Sequence, residues 1–171
     1  PRLAGLELVL PEAHLMRTLV AIPTKDNVET VAEVARRCLD ICPDVLVIDD
    51  GSTDGSGDAA EAVTTVVRHP HNRGKGAAIV TALRWAAEHG FTHLVTVDAD
   101  GQHLPEDLPL FLDAARADPW AIHLGVREMS TAPESSRFGR NFSNFWIWVE
   151  TGHLVGDSQT GFRVYPVQPV L

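Results

Sequence analysis

Apolar runs of strand length recur along the chain at residues 19–22, 45–48, 64–67, 94–97 and 121–124. Between most of them, apolar positions fall at helical spacing: Val28, Val31, Ala35 and Cys38, then Ile79, Leu83 and Ala86, then Leu108, Phe111, Leu112 and Ala115. Pro105 opens the third pattern with Glu106 and Asp107 in its first turn, where proline and acidic residues are favoured. Runs that are apolar on both faces and alternate with amphipathic helices predict an α/β fold, a mainly parallel sheet flanked by helices. In such sheets ligands bind beyond the carboxyl ends of the strands. The polar residues that follow each run are therefore where chemistry is expected.

Those ends read Pro23-Thr24-Lys25-Asp26-Asn27, then Asp49-Asp50-Gly51-Ser52-Thr53-Asp54-Gly55, then His69-Pro70-His71-Asn72-Arg73-Gly74-Lys75-Gly76. After the fourth run comes Asp98-Ala99-Asp100-Gly101-Gln102-His103, and after the fifth Gly125-Val126-Arg127. The fourth is the most informative. In an extended strand, side chains at i and i+2 leave the same face, so Asp98 and Asp100 are expected to converge just past the strand. Hard oxygen ligands suit Mg²⁺ or Mn²⁺, which keep waters and take one or two carboxylates plus phosphate oxygens. The alternative is a solvated acidic loop. Asp49 and Asp50 admit a turn or N-cap role ahead of a helix near Asp58, a role expected also of Ser52, Thr53 and Asp54. Lys75 lies between two glycines that specify a tight backbone, and its alternative is a solvated loop lysine. His69, His71 and His103 are assigned no role.

A chain of 171 residues is long enough for one domain with its own core. The net charge of −9 argues against a nucleic-acid binder, which needs clustered Lys and Arg to displace phosphate counterions. A nucleotide-sized ligand stays compatible with it, because a metal and a few local cations offset the acidic whole. Cys38 and Cys42 lie four apart with no zinc pattern around them, so buried reduced thiols are expected. No signal peptide is visible, and the aromatic stretch 145–149 is too short to span a bilayer. The chain begins at Pro1. The expectation is one domain over residues 1–171, with residues 1–17 as an N-terminal extension and the C-terminus cut short.

Three motif readings fail. Gly74-Lys75 lacks the glycine framework of a Walker loop, and residues 51–57 lack G-x-G-x-x-G. Asp98-Ala99-Asp100-Gly101 resembles the opening of haloacid-dehalogenase-type phosphatases, but there the motif ends the first strand and closes with Thr or Val rather than Gln102. Taken together, Ile22-Pro23-Thr24, residues 47–55, Asn72-Arg73-Gly74-Lys75-Gly76-Ala77-Ala78, Asp98 to His103, Gly125-Val126-Arg127 and Asp157-Ser158-Gln159-Thr160-Gly161-Phe162-Arg163 resemble a family 2 glycosyltransferase of the GT-A fold. Within that family the resemblance is to the dolichyl- or polyprenyl-phosphate sugar transferase branch, in the family's order and roughly its spacing, from residue 18 to residue 166.

The resemblance implies a metal-dependent inverting transferase that moves a sugar from a nucleoside-diphosphate donor to a polyprenyl phosphate. Pro23, Ile48 and Asp50 would line the base and ribose pocket, and substrate binding would extend to Lys25, Asn27, Lys75, Ala99 and Gln159. Asp98 and Asp100, with Gln102 as a third oxygen ligand, would hold Mg²⁺ or Mn²⁺. Arg127 would neutralise a phosphate by a forked contact, Asp157 would position the acceptor or act as its base, and Arg137, with Arg140 as substitute, would meet the acceptor phosphate. The family commonly has P-T-Y-N-E where this chain has Pro23-Thr24-Lys25-Asp26-Asn27, which leaves the donor base open. Phe138, Phe142, Phe145, Trp146 and Val149 form a helical stripe expected to face the core, while Trp148 falls off it and suits a membrane interface. Peripheral contact at the cytoplasmic face of a membrane is expected. The competing readings are a sugar-nucleotide nucleotidyltransferase, which usually has a glycine-rich first loop, and a non-catalytic nucleotide-sugar-binding domain.

Overall fold

The computed structural model describes residues 16–102, 104–125 and 161–170. Among them a six-stranded sheet runs in the order β3-β2-β1-β4-β6-β5. The strands are β1 (Thr18–Thr24), β2 (Val45–Asp49), β3 (Thr65–Arg68), β4 (His93–Thr96), β5 (His123–Leu124) and β6 (Arg163–Pro166). The helices are α1 (Val31–Leu39), α2 (Ser56–Glu61), α3 (Lys75–Glu88), α4 (Leu108–Ala117) and α5 (Val167–Val170), with a 3-10 turn at Pro105–Asp107 leading into α4.

The first four strands are parallel, whereas β6 pairs antiparallel with both β4 and β5. The expected mainly parallel sheet is therefore present, with an antiparallel strand that the apolar runs do not mark. β6 reads Arg-Val-Tyr-Pro, too short and too polar to stand out. The fifth run shrinks to the two residues of β5, because Ile122 is half exposed at the sheet edge.

Both faces of the sheet are covered, and the alternation of side chains along each strand shows how. Val20 and Ile22 of β1, Val45 and Val47 of β2 and Val95 of β4 pack with Val31, Val34, Ala35 and Cys38 of α1, Ala60 of α2, and Leu108 and Ala115 of α4. Leu19, Ala21, Leu46, Ile48 and Leu94 pack on the other face with Ala78, Ala82, Leu83 and Ala86 of α3. Period two in the strands thus meets period 3.6 in the helices. Val28 departs from its expected place on the α1 stripe: it precedes the helix and is 40 % exposed.

Candidate active site

An open cleft of about 370 Å³ lies at the carboxyl ends of β1, β2 and β4, lined by Pro23, Thr24, Lys25, Asn27, Asp50, Asn72, Gly74, Lys75, Ala78, Asp98, Ala99 and Asp100. Its floor follows from strand register. Pro23 and Thr24 pair with Ile48 and Asp49, the Asp50 amide donates to the Thr24 carbonyl at 2.9 Å, and the His69 amide donates to the Asp49 carbonyl at 2.8 Å.

One wall is built by two turns fastened together. Ser52 Oγ accepts from the Asp26 amide at 3.0 Å, Ser56 Oγ from the Asn27 amide at 2.7 Å, and Asp54 Oδ2 from the Val28 amide at 3.0 Å. In return Asp26 Oδ1 accepts from the Thr53 amide at 2.8 Å. Asp26 holds a left-handed backbone, φ 54°, and an ion pair with Lys25 followed by the Thr53 amide holds its carboxyl below the usual value. Asn27 donates from Nδ2 to the Lys25 carbonyl at 2.9 Å. Gly55, at φ 94°, takes the N-cap of α2 without a side-chain bond. Ser52 and Thr53 thus fix the neighbouring loop instead of capping the helix, and Asp54 joins both duties by also accepting from the Ser56 amide at 2.9 Å. Asp49 takes the expected turn role, its Oδ1 accepting from the Ser52 amide at 2.8 Å.

Asp50 is almost wholly buried, at 4 % exposure. Its Oδ1 accepts from His69 Nδ1 at 2.6 Å and from the Arg73 amide at 2.9 Å, and its Oδ2 from the Gly74 amide at 2.7 Å. His69 Nε2 lies 2.9 Å from Thr81 Oγ1 on α3. Burial alone would raise the Asp50 carboxyl, but the His69 hydrogen bond and then the two amides outweigh it and hold the group below its ordinary value. A carboxylate offers about four acceptor positions, so the loop from β3 to α3 takes most of them. Asp50 lines the cleft as expected, but as the anchor of a wall more than as a free acceptor. Ile48 does not line the cleft. It is fully buried beneath α3, since strand alternation turns it to the core.

Asp98 and Asp100 both reach the cleft, by a different route from the expected strand alternation. β4 ends at Thr96, and the chain turns at Ala99, which is 3 % exposed and whose carbonyl accepts from Thr30 Oγ1 at 2.6 Å. Gly101 continues the turn at φ 73°. Asp100 Oδ1 accepts from the Gln102 amide at 2.9 Å. The Gln102 main chain thus serves the turn, and its side chain is not part of the cleft lining. Gly161, just before β6, lies so close to Asp98 that a Cβ there would fall on the carboxylate. The Gly161 carbonyl is tied to β4 by Thr96 Oγ1 at 2.8 Å. Lys75 Nζ sits 2.5 Å from Asp98 Oδ1.

These residues fit a Mg²⁺ or Mn²⁺ site that depends on its substrate. Among the described residues no group of three or more His, Cys, Asp and Glu suited to a metal occurs; Asp98 and Asp100 would supply two carboxylate ligands, as suits a cation that also takes phosphate oxygens and water. The Lys75 ammonium pairs with the Asp98 carboxylate inside the same cleft. Arg127, Arg137, Arg140, Asp157, Gln159, His103 and the stripe from Phe138 to Val149 lie outside the described residues.

A family model described as glycosyl transferase family 2 matches residues 19–166. The chain belongs to that family. An undecaprenyl-phosphate mannosyltransferase of Micrococcus luteus is 43 % identical over 163 residues, covering 88 % of this chain and 66 % of the relative. A polyprenol monophosphomannose synthase of Mycolicibacterium smegmatis is 39 % identical over 110 residues, covering 59 % of this chain and 42 % of the relative. The chain thus spans less than two thirds of the length of these family members. A glucosyl-3-phosphoglycerate synthase of Mycobacterium tuberculosis, solved with Mn²⁺, UDP-glucose and phosphoglyceric acid, superposes with a TM-score of 0.72 at 17 % identity, over 90 % of this chain and 57 % of that one. The fold is GT-A.

No pattern in the sequence gives His69 a role, or Gly161 or Thr24 an individual one. A histidine directly after an apolar strand, at the edge where ligands gather, was the available signal for His69. Nothing local marks Gly161, whose neighbour Asp98 is distant in sequence.

Proposed function

We propose that this domain transfers a sugar, mannose by analogy with its sequence relatives, from a nucleoside-diphosphate donor to a polyprenyl phosphate. The observation that carries the reading is the meeting of Asp98, Asp100 and Lys75 in one cleft at the strand carboxyl ends. Two carboxylates and one ammonium form a seat for a cation–diphosphate pair and a poor seat for either ion alone. A bound Mg²⁺ or Mn²⁺ would offset the negative charge that develops on the departing diphosphate. Pro23, Lys25 and Asn27 would face the base and ribose, with Asp50 fixing the opposite loop.

The acceptor reading is supported by two sequence relatives whose names specify polyprenyl phosphates. Inverting transfer needs the acceptor oxygen in line with the departing diphosphate, behind the anomeric carbon. A phosphate oxygen is already anionic near neutral pH and needs orientation more than deprotonation. We assign Arg137 to that phosphate, Arg127 to the diphosphate and Asp157 to acceptor positioning. Activity would then take place at the cytoplasmic face of a membrane. No helix among the described residues is long and apolar enough to cross one.

The test is transfer from a panel of nucleoside-diphosphate mannoses to polyprenyl phosphate in detergent, with phosphoglyceric acid as a soluble rival. The expected product is a lipid-linked sugar that forms only with a divalent cation. Efficient transfer to the soluble acceptor alone would overturn the lipid assignment. Asp100→Asn should weaken cation-dependent nucleoside-diphosphate binding about tenfold or more, since the lost ligand is charged. Equal affinity in excess chelator would reject the metal role.

A further inference from the structure

We propose that Lys75 is a placeholder for the cation: its ammonium holds Asp98 in the donor-free enzyme and must leave when cation and diphosphate bind, moving from carboxylate to diphosphate. The proposal rests on the donor-site reading above and adds an order of events to it.

Three observations support it. Lys75 Nζ is 2.5 Å from Asp98 Oδ1, and both side chains line the same cleft. The partners differ in freedom. Asp98 is only 21 % exposed and lies against Gly161, where no Cβ fits, whereas the Lys75 side chain is 50 % exposed. A Cβ at Gly74 or at Gly76 would meet none of the described residues within 4 Å, so the backbone on either side of Lys75 is open. Its backbone is nevertheless anchored, because Asp50 accepts from the Arg73 and Gly74 amides immediately before it. A long flexible arm on a fixed base moves more readily than a packed carboxylate.

The electrostatics then dictate exchange. A Mg²⁺ or Mn²⁺ held by Asp98 would bring a divalent charge against the ammonium that already pairs with that carboxylate, at a separation where like charges repel strongly. Cation alone must therefore displace Lys75 without compensation. Cation with diphosphate displaces it and offers new oxygens to the same ammonium. Binding of the two is cooperative through one side chain, and the empty site is kept from taking up a metal without its donor.

The experiment measures Mn²⁺ binding to the 171-residue chain without nucleotide, by the electron paramagnetic resonance signal of free Mn²⁺. Wild type is compared with Lys75→Met, Lys75→Arg, Asp98→Asn and the Lys75→Met/Asp98→Asn double variant, and the titrations are repeated with inorganic pyrophosphate. Circular dichroism confirms that each variant folds. Lys75→Met should bind Mn²⁺ alone about 3- to 10-fold tighter than wild type, the range for removing a partly shielded ion pair. Lys75→Arg, which keeps the charge, should stay near wild type. With pyrophosphate the ranking should invert, Lys75→Met becoming the weaker binder. Asp98→Asn should abolish the tight Mn²⁺ binding in both backgrounds. If Mn²⁺ binding depends on Asp98 yet is equal or weaker in Lys75→Met, the exchange is wrong and the donor site stands. If neither wild type nor Lys75→Met binds Mn²⁺ in an Asp98-dependent way, the donor-site reading falls and the exchange falls with it.

Discussion

A buried carboxylate is costly unless its acceptor sites are filled, and Asp50 fills them with His69 and two amides of one loop. Its stability contribution has a defined pH sign. The folded carboxyl titrates below its ordinary value of 3.8, so ionised Asp50 stabilises the fold above that value, and the contribution is lost as pH falls through the lowered folded value. Asp50→Asn should be less stable than wild type at pH 7 by about 1–3 kcal/mol, the cost of disturbing charged buried hydrogen bonds. The gap should narrow as pH falls from about 4 towards 2. Urea midpoints at each pH test this, and a gap that stays constant would show that Asp50 acts by shape alone. Gly161 is the second residue with a specific demand. In Gly161→Ala the new methyl must push the Asp98 carboxylate aside, so cation-dependent nucleoside-diphosphate binding should fall at least several-fold, while stability changes by about 1–3 kcal/mol, as for other overpacked sites. Unchanged affinity in calorimetry would mean that Asp98 is not held by this contact.

Among the elements, β2 shows how one strand serves core and cleft together. Its five residues are all buried, alternating between the α1 face and the α3 face, and the chain emerges into the cleft only at Asp50. Ile48→Ala should therefore cost about 2–5 kcal/mol of stability through the cavity it leaves, with nucleoside-diphosphate affinity nearly unchanged. A loss of affinity at constant stability would return Ile48 to the binding pocket. β6 has a comparable double function. It pairs antiparallel with β4, and the ring of Phe162 stacks on Phe111 of α4 at 4.1 Å between centroids. These contacts seat Gly161 behind Asp98, so an element distant in sequence supports that wall of the cleft.

In the whole molecule, two apolar layers close the sheet on both sides, and polar chemistry is displaced to the one edge where parallel strands end. The thiols report on how tightly the larger layer is closed. Cys38 and Cys42 are free and buried, and burial pushes the Cys38 thiol up to about 12 and raises Cys42 as well. Thiolate, not thiol, is the reactive form. Disulfide reagents at pH 8 should therefore modify these residues only as the fold opens, with the urea dependence of labelling following that of circular dichroism. Fast labelling of the native protein would reveal local opening at the end of α1.

How much was legible from sequence depends on the range of the forces involved. Local patterns determined the α/β class, four of the strands, the three long helices and the gathering of Asp50, Lys75, Asp98 and Asp100 at one edge, because strand and helix periods bury apolar faces in only a few ways. Family motifs added Pro23, Lys25 and Asn27. The tertiary structure decided what depends on contacts between distant segments: that Ile48 points into the core beneath α3, and that His69 braces Asp50. It also decided that β6 enters antiparallel to set Gly161 against Asp98, and that Lys75 meets Asp98 across 23 positions of sequence. Periodicity records which side of an element is apolar. It carries no information about which polar group from elsewhere will face it, since hydrogen bonds and ion pairs act over a few ångströms and are fixed only once the chain has packed.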